Sequence, residues 1–183
     1  MKNLKDIIIE RLHITKDTGN QVYNYHPKTK DELKELVVKL IKERGNDADL
    51  NDIDTSKITD MSYMFDGSEF NGDISKWDVS NVTNMQTMFA DSKFTGENGD
   101  ISNWDVSNVE NMHCMFNGSK FNGNISNWNV QKVKHIEMMF YKSNFTGNLN
   151  NWDIDLDKID FYDKYKIFTY SPLEKNPPKW YKE

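Results

Sequence analysis

The chain has 183 residues and a net charge of −6, enough length for one domain with a sizeable core. The repeats described below carry 7 basic and 12 acidic groups, a balance that repels nucleic-acid phosphate and argues against DNA or RNA as a partner. Cys114 is the single cysteine, which excludes an intramolecular disulfide, and it reads as a small residue filling a core or near-core slot.

In chain order, Leu4, Ile7, Ile8 and Leu12 suggest a first helix, and Gln21–Tyr25 an extended segment. Met1–Ile14 has scattered charges and no apolar run of signal length, and no stretch reaches the ~20 apolar residues of a membrane span. That pattern points to a chain without membrane insertion, located in the cytoplasm or in a phage particle. A second helix follows: Thr29 and Glu32 make a capping-box pattern, Leu33, Leu36, Val37, Leu40 and Ile41 an apolar stripe, and Gly45 a stop.

From Asp54 a unit of about two dozen residues recurs four times, each ending in tryptophan: Asp54–Trp77, Asp78–Trp104, Asp105–Trp128 and Asn129–Trp152. The second is longer because it carries Glu97, Asn98 and Gly99. A fixed period of this size marks stacked supersecondary units, none of which buries its apolar face alone. Eight of nine Met, eight of ten Phe and four of five Trp lie within the repeats, and their columns are most simply core.

Within a unit, Val82, Met85, Met88 and Phe89 have the spacing of a short helical arm, and Ile74-x-x-Trp77-x-Val79 that of a short strand. Between them, Phe-Asn/Thr-Gly reads as a turn in which glycine supplies a restricted backbone conformation. Asp49–Thr55 aligns with Asp73–Val79 as a zeroth strand, giving five rungs: Leu50, Ile74, Ile101, Ile125 and Leu149. After Trp152 the pattern fails, with no Met-Phe arm. Phe161, Tyr162, Tyr165, Phe168 and Tyr170 suggest an aromatic lid, and Pro177-Pro178 with Trp180 an extended tail. The expected fold class is therefore α/β: a leucine-rich-repeat-like solenoid of short parallel strands and short helical arms, with a helical N-cap and an aromatic C-cap. Residues 1–53 would form the N-terminal cap with the first strand, 54–152 the repeats and 153–183 the C-terminal cap, all one cooperative domain.

The run Asp78–Gly96 (DVSNVTNMQTMFADSKFTG) followed by Asp100–Trp104 (DISNW) closely resembles the BspA-like leucine-rich-repeat family of bacterial surface proteins. The resemblance covers about residues 49–155 and recurs four times; Asp47–Phe65 and Ser171–Tyr181 look like the flanking caps of such modules. It implies a module that engages other proteins, on a cell surface or, as in similar modules, in proteins of bacteriophages and mobile elements.

Function is expected on the polar edge of the strands. One column runs Asp54, Asp78, Asp105, Asn129 and Asp153; beside it are Asp52, Lys76, Asn103, Asn127 and Asn151, then Ser56, Ser80, Ser107 and Gln131. Aspartates stacked at sheet spacing repel one another and need compensation. Three readings stay open: each carboxylate accepts bonds from Ser or Asn of its own turn, the face docks a basic or polar protein, or a cation bridges the column. The face formed by Asp54, Lys76, Asp78, Ser80, Asn103, Asp105, Ser107, Asn127 and Asn129 is the candidate binding site. Of His13, His26, His113 and His135, the last two fall in different, variable columns of the repeats (His113 aligned with Glu137, His135 with Asn111) and read as solvated surface, and no phosphate-cradling loop, zinc-ligand set or nucleophile elbow occurs. The expectation is non-catalytic protein–protein interaction without cofactor or metal, the partner and oligomeric state being open. The alternative is a structural component of a virion or surface assembly.

Overall fold

The computed structural model describes residues 22–157, 159, 164 and 166–181. The first expected helix, with His13, and the aromatics Phe161, Tyr162 and Tyr165 lie outside them.

Helix α1 spans Lys30–Arg44. Thr29 caps it by accepting the amide of Glu32 (3.2 Å), while the Glu32 carboxylate turns back to the amide of Lys28 (2.6 Å). The stripe of the sequence buries Leu33, Val37 and Leu40, and Gly45, at φ 92°, closes the helix by donating to Ile41 O. Ahead of α1, Tyr25 makes a single parallel bridge to Ile53.

The repeats stack with the periodicity read from the sequence, but they are not built as expected. Among the described residues there is no β-strand and no sheet, and no arm of a repeat is a helix. The expected α/β solenoid of short parallel strands and helical arms is thus incorrect: the coils are made of turns, joined by isolated parallel bridges.

Two features account for this. The arm Met61–Phe65 and its equivalents contain a residue at positive φ in every repeat: Tyr63 (60°), Thr87 (58°), Cys114 (55°) and Met138 (56°). A left-handed residue cannot continue a right-handed helix. Its amide donates to the next coil instead, as in Tyr63 N to Gln86 O (3.0 Å), Thr87 N to His113 O (2.8 Å) and Cys114 N to Glu137 O (3.0 Å). A second left-handed position follows at Gly67, Asp91, Gly118 and Lys142. Strands fail for a different reason. Asp or Asn recurs two residues before a hydrogen-bonded amide at three places in each coil up to Asn111, the third position being His135 in the next, and each such side chain folds the backbone into a tight turn. Asp73 to Ser75 N (2.8 Å), Asp78 to Ser80 N (3.0 Å) and Asn84 to Gln86 N (3.1 Å) are the three in one coil. No extended run lasts long enough for a ladder.

The most continuous set of bridges runs Asp60–Asn84–Asn111–His135, through the arm. The rung expected at Ile74-x-x-Trp77 has only Asp49 bridged to Asp73, although Leu50, Ile74, Ile101, Ile125 and Leu149 do form a buried column.

The core is a set of ring columns. Phe65, Phe89, Phe116 and Phe140 stack at 5.4, 5.7 and 5.7 Å between centroids, and Phe70, Phe94, Phe121 and Phe145 at 6.4, 6.0 and 6.0 Å. Offset aromatic pairs at these distances contribute about 0.5–1.5 kcal/mol each beyond their buried area. Each tryptophan is buried and donates Nε1 to a carbonyl of the preceding coil: Trp77 to Leu50 O, Trp104 to Ile74 O, Trp128 to Ile101 O and Trp152 to Ile125 O, at 2.9–3.3 Å. The glycine of each turn is required chiefly by close approach. A Cβ on Gly72 would lie 2.0 Å from Ala48 O, and among Gly72, Gly96, Gly123 and Gly147 only Gly96 has positive φ.

The C-terminal lid and tail are also corrected. Lys166-Ile167-Phe168-Thr169-Tyr170-Ser171 repeats the arm Met138-Met139-Phe140-Tyr141-Lys142-Ser143, with Lys166 and Tyr170 again at positive φ (62° and 59°). Phe140 N donates to Ile167 O (2.9 Å), Phe168 stacks on Phe140 at 5.8 Å, and Trp180 donates Nε1 to Leu149 O (2.8 Å). This segment is a fifth coil. Isoleucine in place of methionine at 167 hides it from the repeat pattern.

Candidate functional site

The candidate face is built largely from these side-chain turns. Asp54 accepts the amide of Ser56 (3.1 Å), Asp78 that of Ser80 (3.0 Å), Asp105 that of Ser107 (3.1 Å) and Asn129 that of Gln131 (3.3 Å). Ser80 Oγ also donates to Asp78 (2.6 Å). Each aspartate thus has one oxygen engaged within its own turn, and Asn129 holds the same geometry without charge.

Hydrogen bonding offsets the repulsion expected in the column. Burial opposes ionisation of Asp54, yet bonds from Ser56 and His26 hold its carboxyl below the usual carboxylate range. For Asp105 the Ser107 hydrogen bond is the main cause of a lowered pKa. His26 Nδ1 lies 3.1 Å from Asp54 Oδ2, a partner from the N-terminal flank that the repeat alignment gives no sign of.

The face changes character along the stack. Asp54, Asp78, Ser80 and Ser107 are half-buried, whereas Lys76, Asn103, Asp105, Asn127 and Asn129 are exposed. At the first coil Arg44 of α1 forms a bidentate pair with Asp52 (2.9 Å for both contacts), which lowers the Asp52 carboxyl and raises Arg44. A cleft of about 340 Å³ lies there, between Arg44, Asp49, Asn51, Asp52 and Lys76. Further along the stack a hollow of about 240 Å³ is lined by Asn127, Trp128, Asn129, Val130, Gln131, Asn151 and Asp153. The structure therefore brings Asn127 and Asn129 together around one hollow and leaves Lys76 at another.

Among the described residues no group of three or more His, Cys, Asp or Glu is placed to hold a metal ion, and no helix is long and apolar enough to cross a membrane. His113 approaches Glu137 (4.0 Å) across adjacent coils. Cys114 is half-buried, and burial pushes its thiol pKa up, away from the reactive range.

The sequence model of a family described as "Mycoplasma protein of unknown function, DUF285" matches residues 33–152 and, in a second placement, 92–169. The overlap is what a repeating pattern allows, since it can be laid down in more than one register. No curated protein and no solved structure matches the chain.

Proposed function

We propose, from the premise that this chain belongs to the DUF285 family, that it is a non-catalytic module that recognises another protein. The observation that carries this reading is the pair of exposed amides Asn127 and Asn129 lining the 240 Å³ hollow, with the exposed Asn103 one coil earlier in the column of Asn127. Amides donate and accept at once and carry no ion-desolvation cost, so such a row suits a polar protein surface. The finer resemblance to BspA-like leucine-rich-repeat proteins supports the same class of function, on a cell surface or in a phage-borne protein. The hollow is lined by no paired carboxylates and no nucleophile–base pair, which favours adhesion over chemistry. The acidic repeats favour protein over nucleic acid.

Photo-crosslinking from position 127 in cells that make the protein tests the reading. A discrete protein adduct is expected, abolished by Asn103→Arg together with Asn129→Arg while the thermal midpoint stays within a few degrees. Adduct formation unaffected by the double variant would exclude this face. A molecular mass rising with concentration in size exclusion would instead favour assembly of copies, as in a virion or surface layer.

A further inference from the structure

We infer a small-molecule site in a cleft between the fourth and fifth coils, suited to one ring of a neutral saccharide. It is independent of the face described above and shares no residue with it.

The register of the fifth coil explains why the stack parts here. Residues 168–180 follow 140–152 at a constant offset of 28, which sets Phe168 on Phe140, Ser171 on Ser143, Leu173 on Phe145 and Trp180 on Trp152. At one corner of the stack the residue after each serine donates its amide to the coil before. Lys93 N bonds Ser68 O (2.9 Å), Lys120 N bonds Ser92 O (3.2 Å) and Asn144 N bonds Ser119 O (3.2 Å). The equivalent in the fifth coil is Pro172, which has no amide hydrogen. The next tie, from Thr146 N to the Asn122 side chain (2.8 Å), is lost as well, because Glu174 N turns to Ser171 O in its own coil (3.1 Å). Among the described residues no main-chain hydrogen bond joins 144–150 to 172–178.

Two substitutions add to the separation. Earlier coils approach one another at glycine: a Cβ on Gly72 would lie 2.0 Å from Ala48 O, and one on Gly96 would lie 3.3 Å from the Cα of Gly123. After Gly147 this column continues with Lys175, whose Cβ such an approach leaves no room for. The column of Phe70, Phe94, Phe121 and Phe145 ends in the smaller Leu173. The result is a cleft of about 280 Å³. That lies just below the usual range of about 300–1,000 Å³ for ligand pockets, a size for one ring.

The lining selects the ligand. None of its residues is charged, so an ionic ligand would lose hydration without gaining a counter-ion. Leu173, Pro177 and Pro178 supply carbon surface, and Thr146, Asn148 and Asn150 supply polar groups. Asn148 Oδ1 accepts the amide of Asn150 (2.9 Å), and Asn150 Oδ1 accepts that of Lys179 (2.8 Å). With both oxygens engaged, these side chains offer a ligand their NH₂ groups, held in fixed orientations. Thr146 Oγ1 donates to Asn122 (3.1 Å), which leaves its lone pairs to accept. Fixed amide donors and one acceptor beside carbon surface match a pyranose, with hydroxyls at its edge and C–H groups on its faces. A peptide offers a single carbonyl per residue to the same donors.

The test uses the full chain, ¹⁵N-labelled, titrated with glucose, galactose and N-acetylglucosamine. Glucuronate serves as the charged comparison and acetyl-glycinamide as the peptide one. At least one neutral sugar should shift the amides of Gly147, Asn148, Asn150, Leu173 and Asn176, saturating in the millimolar range. Leu173→Phe restores the ring of the earlier coils and occupies the cleft. It should weaken binding by about tenfold or more, with the thermal midpoint retained, because it fills a gap rather than overpacking a core. No saturable shift with any of the three sugars, or shifts centred on Asn127 and Asn129, would overturn the inference. So would binding unchanged by Leu173→Phe, glucuronate binding as well as the neutral sugars, or shifts at these amides from acetyl-glycinamide alone. The mapping needs no substitution, so a variant that failed to fold would not protect the inference.

Discussion

The two ends of the stack meet opposite chemical demands. In the arms every coil donates toward the C-terminal side: Met61 N to Asn84 O, Phe65 N to Met88 O, Phe116 N to Met139 O and Lys142 N to Thr169 O, at 2.8–3.0 Å. The first coil is therefore left with carbonyls and the last with amides. At the N-terminal end Lys34 of α1 reaches over and donates Nζ to Tyr63 O (2.8 Å) and Met64 O (2.6 Å). At the C-terminal end the amide of Tyr170 is met by the Glu174 carboxylate (3.1 Å), held on a 3₁₀ turn at Pro172–Glu174. A cation closes the acceptor end and an anion the donor end, as at the termini of a helix. The means differ as well: a separate helix covers one end, while one further coil covers the other.

The largest test of that contrast is Phe168→Ala. If residues 166–171 are a true coil, this 2 % exposed ring carries the same load as one in mid-stack. Its loss should cost about 3–5 kcal/mol in urea unfolding, the range for a buried phenylalanine. A loss under about 1 kcal/mol, the size expected of a surface substitution, would return the segment to the status of a loose lid.

The end-closing charges should show a smaller and unequal effect. Lys34→Met keeps the aliphatic stem but leaves Tyr63 O and Met64 O without their donor, a cost of about 1–3 kcal/mol when such groups are shielded from water. Glu174→Gln keeps an acceptor oxygen in place and forfeits only the charge, so it should cost under ~1 kcal/mol. Urea midpoints of the two variants compare them directly. Equal effects would mean that the two ends are not the chemical opposites that the hydrogen bonds describe.

These ends also separate what can be read in the sequence from what cannot. The N-terminal cap was legible, because Thr29, the stripe from Leu33 to Ile41 and Gly45 follow rules of a single helix. The buried columns were legible too, because burial needs only periodicity. The left-handed arm was not. Tyr63, Thr87, Cys114 and Met138 share no residue type, and their conformation is imposed by amides directed at the next coil. Met-x-x-Met-Phe spacing fits a helical face equally well. The fifth coil was hidden because one isoleucine replaces methionine and Phe168 stands 28 residues after Phe140, against 24 or 27 between the earlier arms, although Trp180 follows Phe168 at the usual 12. At the site, Asp-x-Ser spacing carries the turn signal, but the outward columns of the bridged flank are visible only once the arm is placed.

The smallest effect concerns the turn columns themselves. Asp105→Asn should leave stability at neutral pH nearly unchanged, within about 0.5 kcal/mol, because Asn129 already makes the same turn one coil on. Asp105→Ala removes the acceptor of Ser107 N and should cost about 0.5–1.5 kcal/mol. The pH dependence separates charge from geometry. The Asp105 carboxyl is lowered in the folded state, so its contribution is present above the ordinary carboxylate pKa and is lost as pH falls through the lowered value. The asparagine variant should therefore lose less stability than the parent between neutral and strongly acid solution. If both lose the same amount, the Asp105 charge is incidental to the fold and is free to serve recognition.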